Sequence, residues 1–407
     1  MATHIKKIPA LAVDTYFNKA GNTDRFLNEP NGLTQLGFGL FGEVGGLLAA
    51  LKKVSRDNFL KSEAQIVGEE IGDTLWYLVS LAHHCGVKPD ALAETCMYTL
   101  KKQFQETYCL REYGVTFEEI DRLLEPDQYK ITSQREGLLR GLAASCGNLI
   151  ATHQDALRAW KTEYTAAVLG DLMAQLAMVA WCFELKLADI AKDNLNKIKD
   201  RWPGQDPDFC RLFDESDCEV YEQLPRQFEI EFCSRAVGTR EEVVMRLNGV
   251  NVGSPLTDNN SVPDDYRYHD IFHLSYLANL GWSPVIRALL KLKRKSRPKI
   301  DENEDGARAI IIEEGIATWI FNHAKARGDF FEGVAVGQLE FGLLKQVRSM
   351  VEGYEVAACP SWQWERAILQ GFEIFRHLKE HKHGVVRVDM LAHVLEFSPG
   401  QITGSDA

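Results

Sequence analysis

Residues Gly68–Leu78, GEEIGDTLWYL, place three carboxylates, Glu69, Glu70 and Asp73, within five residues and then turn apolar. On a helix Glu70 and Asp73 are three positions apart and Glu69 and Asp73 four, so the acids share one flank. Ile71, Leu75, Leu78 and Ala82 recur at the three-and-four spacing of a buried stripe on the other side. The stretch therefore reads as an amphipathic helix with an acidic flank, a pattern that a solvated helix face shares. About a hundred residues later the chain restates it as Ala167–Leu176, AVLGDLMAQL, with both glutamates gone.

The restatement extends in both directions. A shift of 98 lays Gly72-Asp73 on Gly170-Asp171, Leu78 on Leu176 and Lys101 on Lys199, without a gap as far as Phe104 and Trp202. Upstream, Glu43-Val-Gly-Gly-Leu47 falls on Ser145-Cys-Gly-Asn-Leu149 with a shift of 102, so only an interhelical loop changes length. Spacing kept across a helix, a turn and a second helix points to internal duplication, although unrelated amphipathic helices imitate part of it.

Helical periodicity runs from about residue 30 to 205, punctuated by Asn28-Glu-Pro-Asn-Gly32, Gly86-Val-Lys-Pro-Asp90 and Leu124-Glu-Pro-Asp127. The breaker-rich Arg201-Trp-Pro-Gly-Gln-Asp-Pro-Asp208 marks a domain boundary. Beyond it, Phe228–Cys233 and Val243–Val252 alternate or are β-branched, which predicts a hairpin or two, and helical periodicity returns from about 265 to 382. The expected fold is mainly all-α: a first helical-bundle repeat over 1–125, a second over 126–205, and a mostly helical C-terminal domain over 213–407 with a small β-hairpin element.

With 407 residues, two or three domains are expected. The net charge of -12 argues against a general nucleic-acid binder or a binder of acidic membranes, whose phosphates are held by basic faces. A single basic pocket or a metal ion still suffices for a small anion. The start MATHIKKIPALAVDTYF lacks the apolar run of a signal peptide, and no window offers about 18 uninterrupted apolar residues. A soluble, cytoplasmic protein is expected. The nine cysteines are scattered and never form a Cys-x-x-Cys pair, which reads as free buried thiols in a reducing compartment.

Glu43 adds a carboxylate on the helix preceding the acidic one, just after Gly37-Phe-Gly-Leu-Phe-Gly42. Acids projected from two antiparallel helices into one cleft give the oxygen cage that Mg²⁺, or Mn²⁺, accepts together with water and substrate phosphates. Here the sequence resembles the MazG-type all-α nucleoside triphosphate pyrophosphohydrolases, whose pattern is Glu-x-x-Glu on one helix and Glu-x-x-Asp on the next. Gly42-Glu-Val-Gly-Gly-Leu47 is similar to the first element and Glu69-Glu-Ile-Gly-Asp73 to the second, but Gly46 stands where the family has its second glutamate. Glu69, Glu63 or a residue from elsewhere in the chain is left to replace it. The family's following helix, Asn-Leu-x-Lys-Leu-x-x-Arg, is resembled by Asn194-Leu-Asn-Lys197-Ile-Lys-Asp-Arg201, whose counterparts in the first repeat are Cys96, Thr99 and Gln103. Conversely, the second repeat has Ser145 and Val168 in place of Glu43 and Glu70.

Each repeat thus keeps what the other lacks. Dimer-like packing of the repeats is expected to build one composite site: Glu43, Glu69, Glu70 and Asp73 around Mg²⁺, with Asn194, Lys197 and Arg201 on the triphosphate or sugar. A phosphoryl transition state spreads charge over several oxygens and needs donors already in place. Lys197 and Arg201 also suit a helix C-terminus on macrodipole grounds alone. By the same resemblance the reaction is hydrolysis of a nucleoside triphosphate between the α and β phosphates, with Glu43 or Glu70 positioning or deprotonating the attacking water. The alternatives are a protein that binds nucleotides without cleaving them, with its output in the C-terminal region, and catalysis by the histidine and acid cluster of that region with the repeats regulating it. The chain is expected to be a monomer or a homodimer.

In the C-terminal region, Tyr266-Arg-Tyr-His-Asp-Ile-Phe-His-Leu-Ser-Tyr276 puts His269 and His273 four apart on one helical face with Asp270 between them, and Glu313-Glu314 lies on a later helix. Histidines so spaced, with acids, are able to bind a transition metal; satisfied structural histidines fit the same pattern. The set is a second candidate centre. The basic run 291–297 reads as a solvated loop, and an acidic run follows at 301–305. The region is similar to the extra C-terminal domain of some longer bacterial MazG-like proteins, a resemblance that carries no activity with it.

Overall fold

The computed structural model describes residues 10–54, 56, 62–104, 114–204, 207–215 and 218–400, with Gln128 by its backbone alone. The chain divides into two units, Met1–Lys199 and Asp200–Ala407. The first is helical: α1 Val13–Gly21, α2 Gly32–Val54, α3 Glu63–His84, α4 Pro89–Phe104, α5 Phe117–Leu124, α6 Gln128–Ser133, α7 Arg135–Ala151, α8 Gln154–Ala159, α9 Thr162–Cys182 and α10 Leu187–Arg201.

Ser62 sets the start of the acidic helix. Its hydroxyl accepts from the Gln65 amide while the Gln65 side chain accepts from the Ser62 amide, a reciprocal cap of about 1 kcal/mol. That start leaves Ile71, Leu75, Leu78 and Ala82 fully buried and Glu70 and Asp73 on the half-buried flank. Helix α3 packs on α2 and α9, and α7 packs on α2 and α9, so the core is a bundle of four long helices. Close approach of α2 and α3 depends on glycine: a Cβ at Gly39 would run into the Tyr77 ring. Helices α2 and α9 are each long and apolar enough to cross a membrane by length and composition; most of that stretch of α9 is buried within the unit.

The second unit continues with β1 Gln227–Val237, β2 Arg240–Leu247, β3 Val250–Leu256, α11 Asp270–Leu280, α12 Pro284–Leu289, α13 Pro298–Asn303, α14 Ala307–Arg327, α15 Phe341–Met350, α16 Ser361–His381, β4 His383–Asp389 and β5 Val394–Pro399. The strands form one antiparallel sheet in the order β3-β2-β1-β4-β5. Helix α11, buried along its whole length, packs on α16 through a cluster that includes Phe272, Phe372 and Phe375.

The five-stranded sheet corrects the expectation of a small hairpin element in an all-α chain. The missing strands β4 and β5 follow α16 directly, where Lys382 adopts a left-handed conformation (φ 59°) and turns the chain. Val386 and Val388 then point inward and Arg387 outward, an alternation too short to stand out beside a long helix. The basic run also departs from a solvated loop. Its Arg294 is 1% exposed, paired with Asp305 of the acidic run (2.7 Å) and with Glu355 (2.7 Å), while Lys291, Lys295 and Arg297 face solvent.

Candidate functional site

Three helices of the first unit bring the acids and the amine together. Lys197 on α10 donates to Asp73 Oδ1 at 2.6 Å and also contacts Oδ2. Asn194, 5% exposed, donates its Nδ2 to the same Oδ1 at 3.2 Å. The hydroxyl of Tyr16 donates to Asn194 Oδ1 at 2.7 Å, which settles the amide orientation and keeps the Nδ2 donor facing Asp73. Gly72 permits this approach, because a Cβ there would lie 3.3 Å from Asn194 Cβ.

The placement of α10 is itself fixed by a buried carboxylate. Asp121, 4% exposed, accepts from the amides of Leu187 and Ala188 and from the Trp181 indole, each at 2.9 Å. A negative group at a helix N-terminus satisfies otherwise orphaned N–H groups and complements the dipole. Burial raises the Asp121 pKa, opposed by those three hydrogen bonds. Neither Asp121 nor Tyr16 is singled out by the sequence. Asp121 sits in the charged run Glu118–Arg122, and Tyr16 precedes the recognisable helices.

Glu43 on α2 faces Glu70 and Asp73. Burial, then the charges of Asp73 and Glu70, push its pKa up to about 7, opposed by Lys197 and reinforced by a hydrogen bond with Glu70. At Gly46 a Cβ would lie 2.5 Å from Glu70 Oε2. The Glu70 carboxylate therefore occupies the room that a side chain at 46 would need. Glu69 is exposed on the outer side of α3, and Glu63 is paired with Arg135 at 2.5 Å. Arg201 is engaged within the second unit, where its guanidinium lies over Trp202 and Phe341 and donates to the Leu339 carbonyl at 3.4 Å.

The first unit carries a counterpart, again joining its two halves. Thr99 on α4 donates to Asp171 on α9, and both positions lie 98 residues from Lys197 and Asp73. A Cβ at Gly170, the counterpart of Gly72, would meet Thr95 Cβ at 2.5 Å. The contact geometry recurs without the two glutamates, whose places are taken by Ser145 and Val168.

In the second unit His269 and His273 meet Glu313 and Glu314 of α14. His273 Nδ1 lies 2.9 Å from Glu313 Oε1 and its Nε2 lies 3.4 Å from Glu314 Oε2. His269 Nε2 is 3.9 Å from the same Glu314 oxygen and 3.7 Å from Asp270 Oδ1. Burial opposes charge on His273, but Glu313 and Glu314 outweigh it and lift its pKa to about 10.

Residues 208–401 match the family model of the MazG C-terminal domain. Over that stretch the second unit is similar to that domain. No curated protein and no solved structure matches the chain.

Proposed function

We propose that the first unit is a Mg²⁺-dependent nucleoside triphosphate pyrophosphohydrolase, releasing pyrophosphate and leaving the monophosphate, with one composite site. The observation that carries this reading is the clasp of Asp73 by Asn194 and Lys197. It joins the acidic flank of one proposed repeat to the polar helix of the other. The Thr99–Asp171 pair at the same offset supports the duplication.

The donor set suits a hard divalent cation, since three carboxylates face one ammonium, and burial together with the neighbouring negative charge raises the Glu43 pKa. Glu43, Glu70 and Asp73 would hold Mg²⁺ or Mn²⁺, with Glu69 on the solvent side. When bound, the ion supplies neutralisation of phosphate charge. The Lys197 ammonium, now on Asp73, pairs with a phosphate oxygen of the substrate, and Asn194, locked by Tyr16, offers a pre-set donor. Glu43 accepts a proton from the attacking water, whose oxygen bonds to the α phosphorus as the bond to the bridging oxygen breaks, and then returns the proton to solvent. A cytoplasmic location matches such a substrate. Trp76 donates its indole N–H to Thr23 and the Tyr77 ring packs over Gly39, whereas Tyr98 is exposed.

The test is pyrophosphate release with Mg²⁺ or Mn²⁺ across ribo- and deoxyribonucleoside triphosphates. Turnover by the native chain, abolished in both Asp73→Ala and Lys197→Ala, is the expected result. A native chain that binds nucleotides yet releases no pyrophosphate, or a fully active Asp73→Ala variant, would overturn the reading; the former outcome favours a nucleotide sensor in which Gly46 has ended the chemistry.

A further inference from the structure

We infer that His269, His273 and Glu314 of the second unit form a binding site for a divalent transition metal, zinc by ligand type, separate from the acidic site of the first unit. Ligand atoms of the three side chains lie within 4.8 Å of one another. Nitrogen and oxygen ligands at about 2.0–2.1 Å from a tetrahedral ion sit about 3.3 Å apart. The separations of the two Nε2 atoms from Glu314 Oε2, 3.4 and 3.9 Å, need only small side-chain closure to reach that value.

The surroundings are those of a ligand set rather than of two ordinary core histidines. His269 Nδ1 is 2.9 Å from the carbonyl of Tyr266, a group that only accepts, so Nδ1 carries the proton and the lone pair of the neutral ring is on Nε2. The Tyr266 ring stacks on that imidazole with centroids 4.4 Å apart and holds its plane. His273 Nδ1 is held by Glu313, which also accepts from the Ser283 hydroxyl at 2.6 Å and the Val285 amide at 2.8 Å. Glu313 is therefore an anchored acceptor that turns Nε2 toward Glu314. Carboxylate or carbonyl partners on the remote nitrogen are the usual support for metal-bound histidine.

The Nε2 of fully buried His273 faces Glu314 Oε2 at 3.4 Å without a well-formed hydrogen bond to it. A buried polar atom so loosely satisfied leaves room for an occupant that binds it directly. One alternative is a second proton on His273, held between the two glutamates. A single proton serves one nitrogen, whereas an ion answers both Nε2 atoms and the Glu314 oxygen together. Asp270 Oδ1, buried beside His269 Nε2, stands next to the set, and the Glu314 side chain, 39% exposed, leaves the site open on one side. Three protein ligands with an open side match zinc sites that keep a position for water or substrate.

The test is the metal content of the full chain, purified without chelator, together with its Co²⁺ absorption spectrum after exchange. Stoichiometric transition metal, with the intense visible bands of four-coordinate Co²⁺, is expected in the native chain and in Asp73→Ala. Loss of the ion is expected in His273→Gln and His269→Gln. Glu313→Gln should keep the ligands and weaken affinity by about 10- to 100-fold, as a positioning residue does. A native chain that takes up neither Zn²⁺ nor Co²⁺ near stoichiometry, whatever the behaviour of the variants, overturns the inference and assigns His273 Nε2 to the second proton. Because Asp73→Ala disables only the first unit, loss of pyrophosphate release and loss of metal are read independently.

Discussion

Glu43→Gln isolates the electrostatic strain among the three acids. In the folded chain Glu43 titrates near 7 rather than its ordinary 4.5, through burial and the charges of Asp73 and Glu70. The folded state thus holds this proton more tightly than the unfolded state does. Its stabilising contribution is complete below about pH 4.5 and is lost as the pH rises through 7. Such a rise corresponds to an upper bound of about 3 kcal/mol. Glu43 is only half-buried and solvent screens its neighbours, so about 1–2 kcal/mol is the figure to expect. Glutamine keeps the shape without the charge and should stabilise the metal-free first unit at pH 8 while changing little at pH 5. Amide hydrogen exchange in α2 and α3, measured with a chelator present, reads that unit alone. At pH 8 the slowest amides of the variant should exchange about 5- to 30-fold more slowly than those of the parent, after correction for intrinsic rates. An equal difference at both pH values, or a variant less protected at pH 8, would refute the crowding of negative charge at Glu43.

Two further predictions concern packing. Gly170→Ala should destabilise the first unit by about 1–3 kcal/mol, because its Cβ would press on Thr95 Cβ at 2.5 Å and the Leu92 carbonyl at 3.0 Å; Gly72→Ala, with contacts at 3.3 Å, should cost less, and denaturant titration of the pair checks the order. Arg294→Ala leaves Asp305, fully buried, and the mostly buried Glu355 without their guanidinium; a loss of about 3–5 kcal/mol, read as a lowered unfolding midpoint of the second unit, is expected.

Helical character in the described parts of 30–205, the acidic flank of α3 and the histidine face at 269–273 were all legible, because each is a matter of local spacing that one backbone geometry converts into a face. The 98-residue offset even paired Asp73 with Asp171 and Lys197 with Thr99, and these residues do meet crosswise, α3 with α10 and α9 with α4. Less local features were not legible. Asp121 as the cap of α10 and Tyr16 as the lock on Asn194 join residues far apart in the chain, and nothing in their own neighbourhoods marks them out. The same holds for Arg294, which shares the composition of its exposed neighbours and differs only in the two carboxylates that fold over it.

The sequence by itself determined which segments are helical, which side of each carries acid, and where the breakers fall, since periodicity and capping act within a few residues. Only the tertiary structure decided that Glu70 lies over Gly46 beside Glu43, that one amine clasps Asp73, and that two histidines turn their Nε2 atoms toward one glutamate. Those outcomes depend on distances between helices, set by glycine contacts and buried caps that no single segment contains.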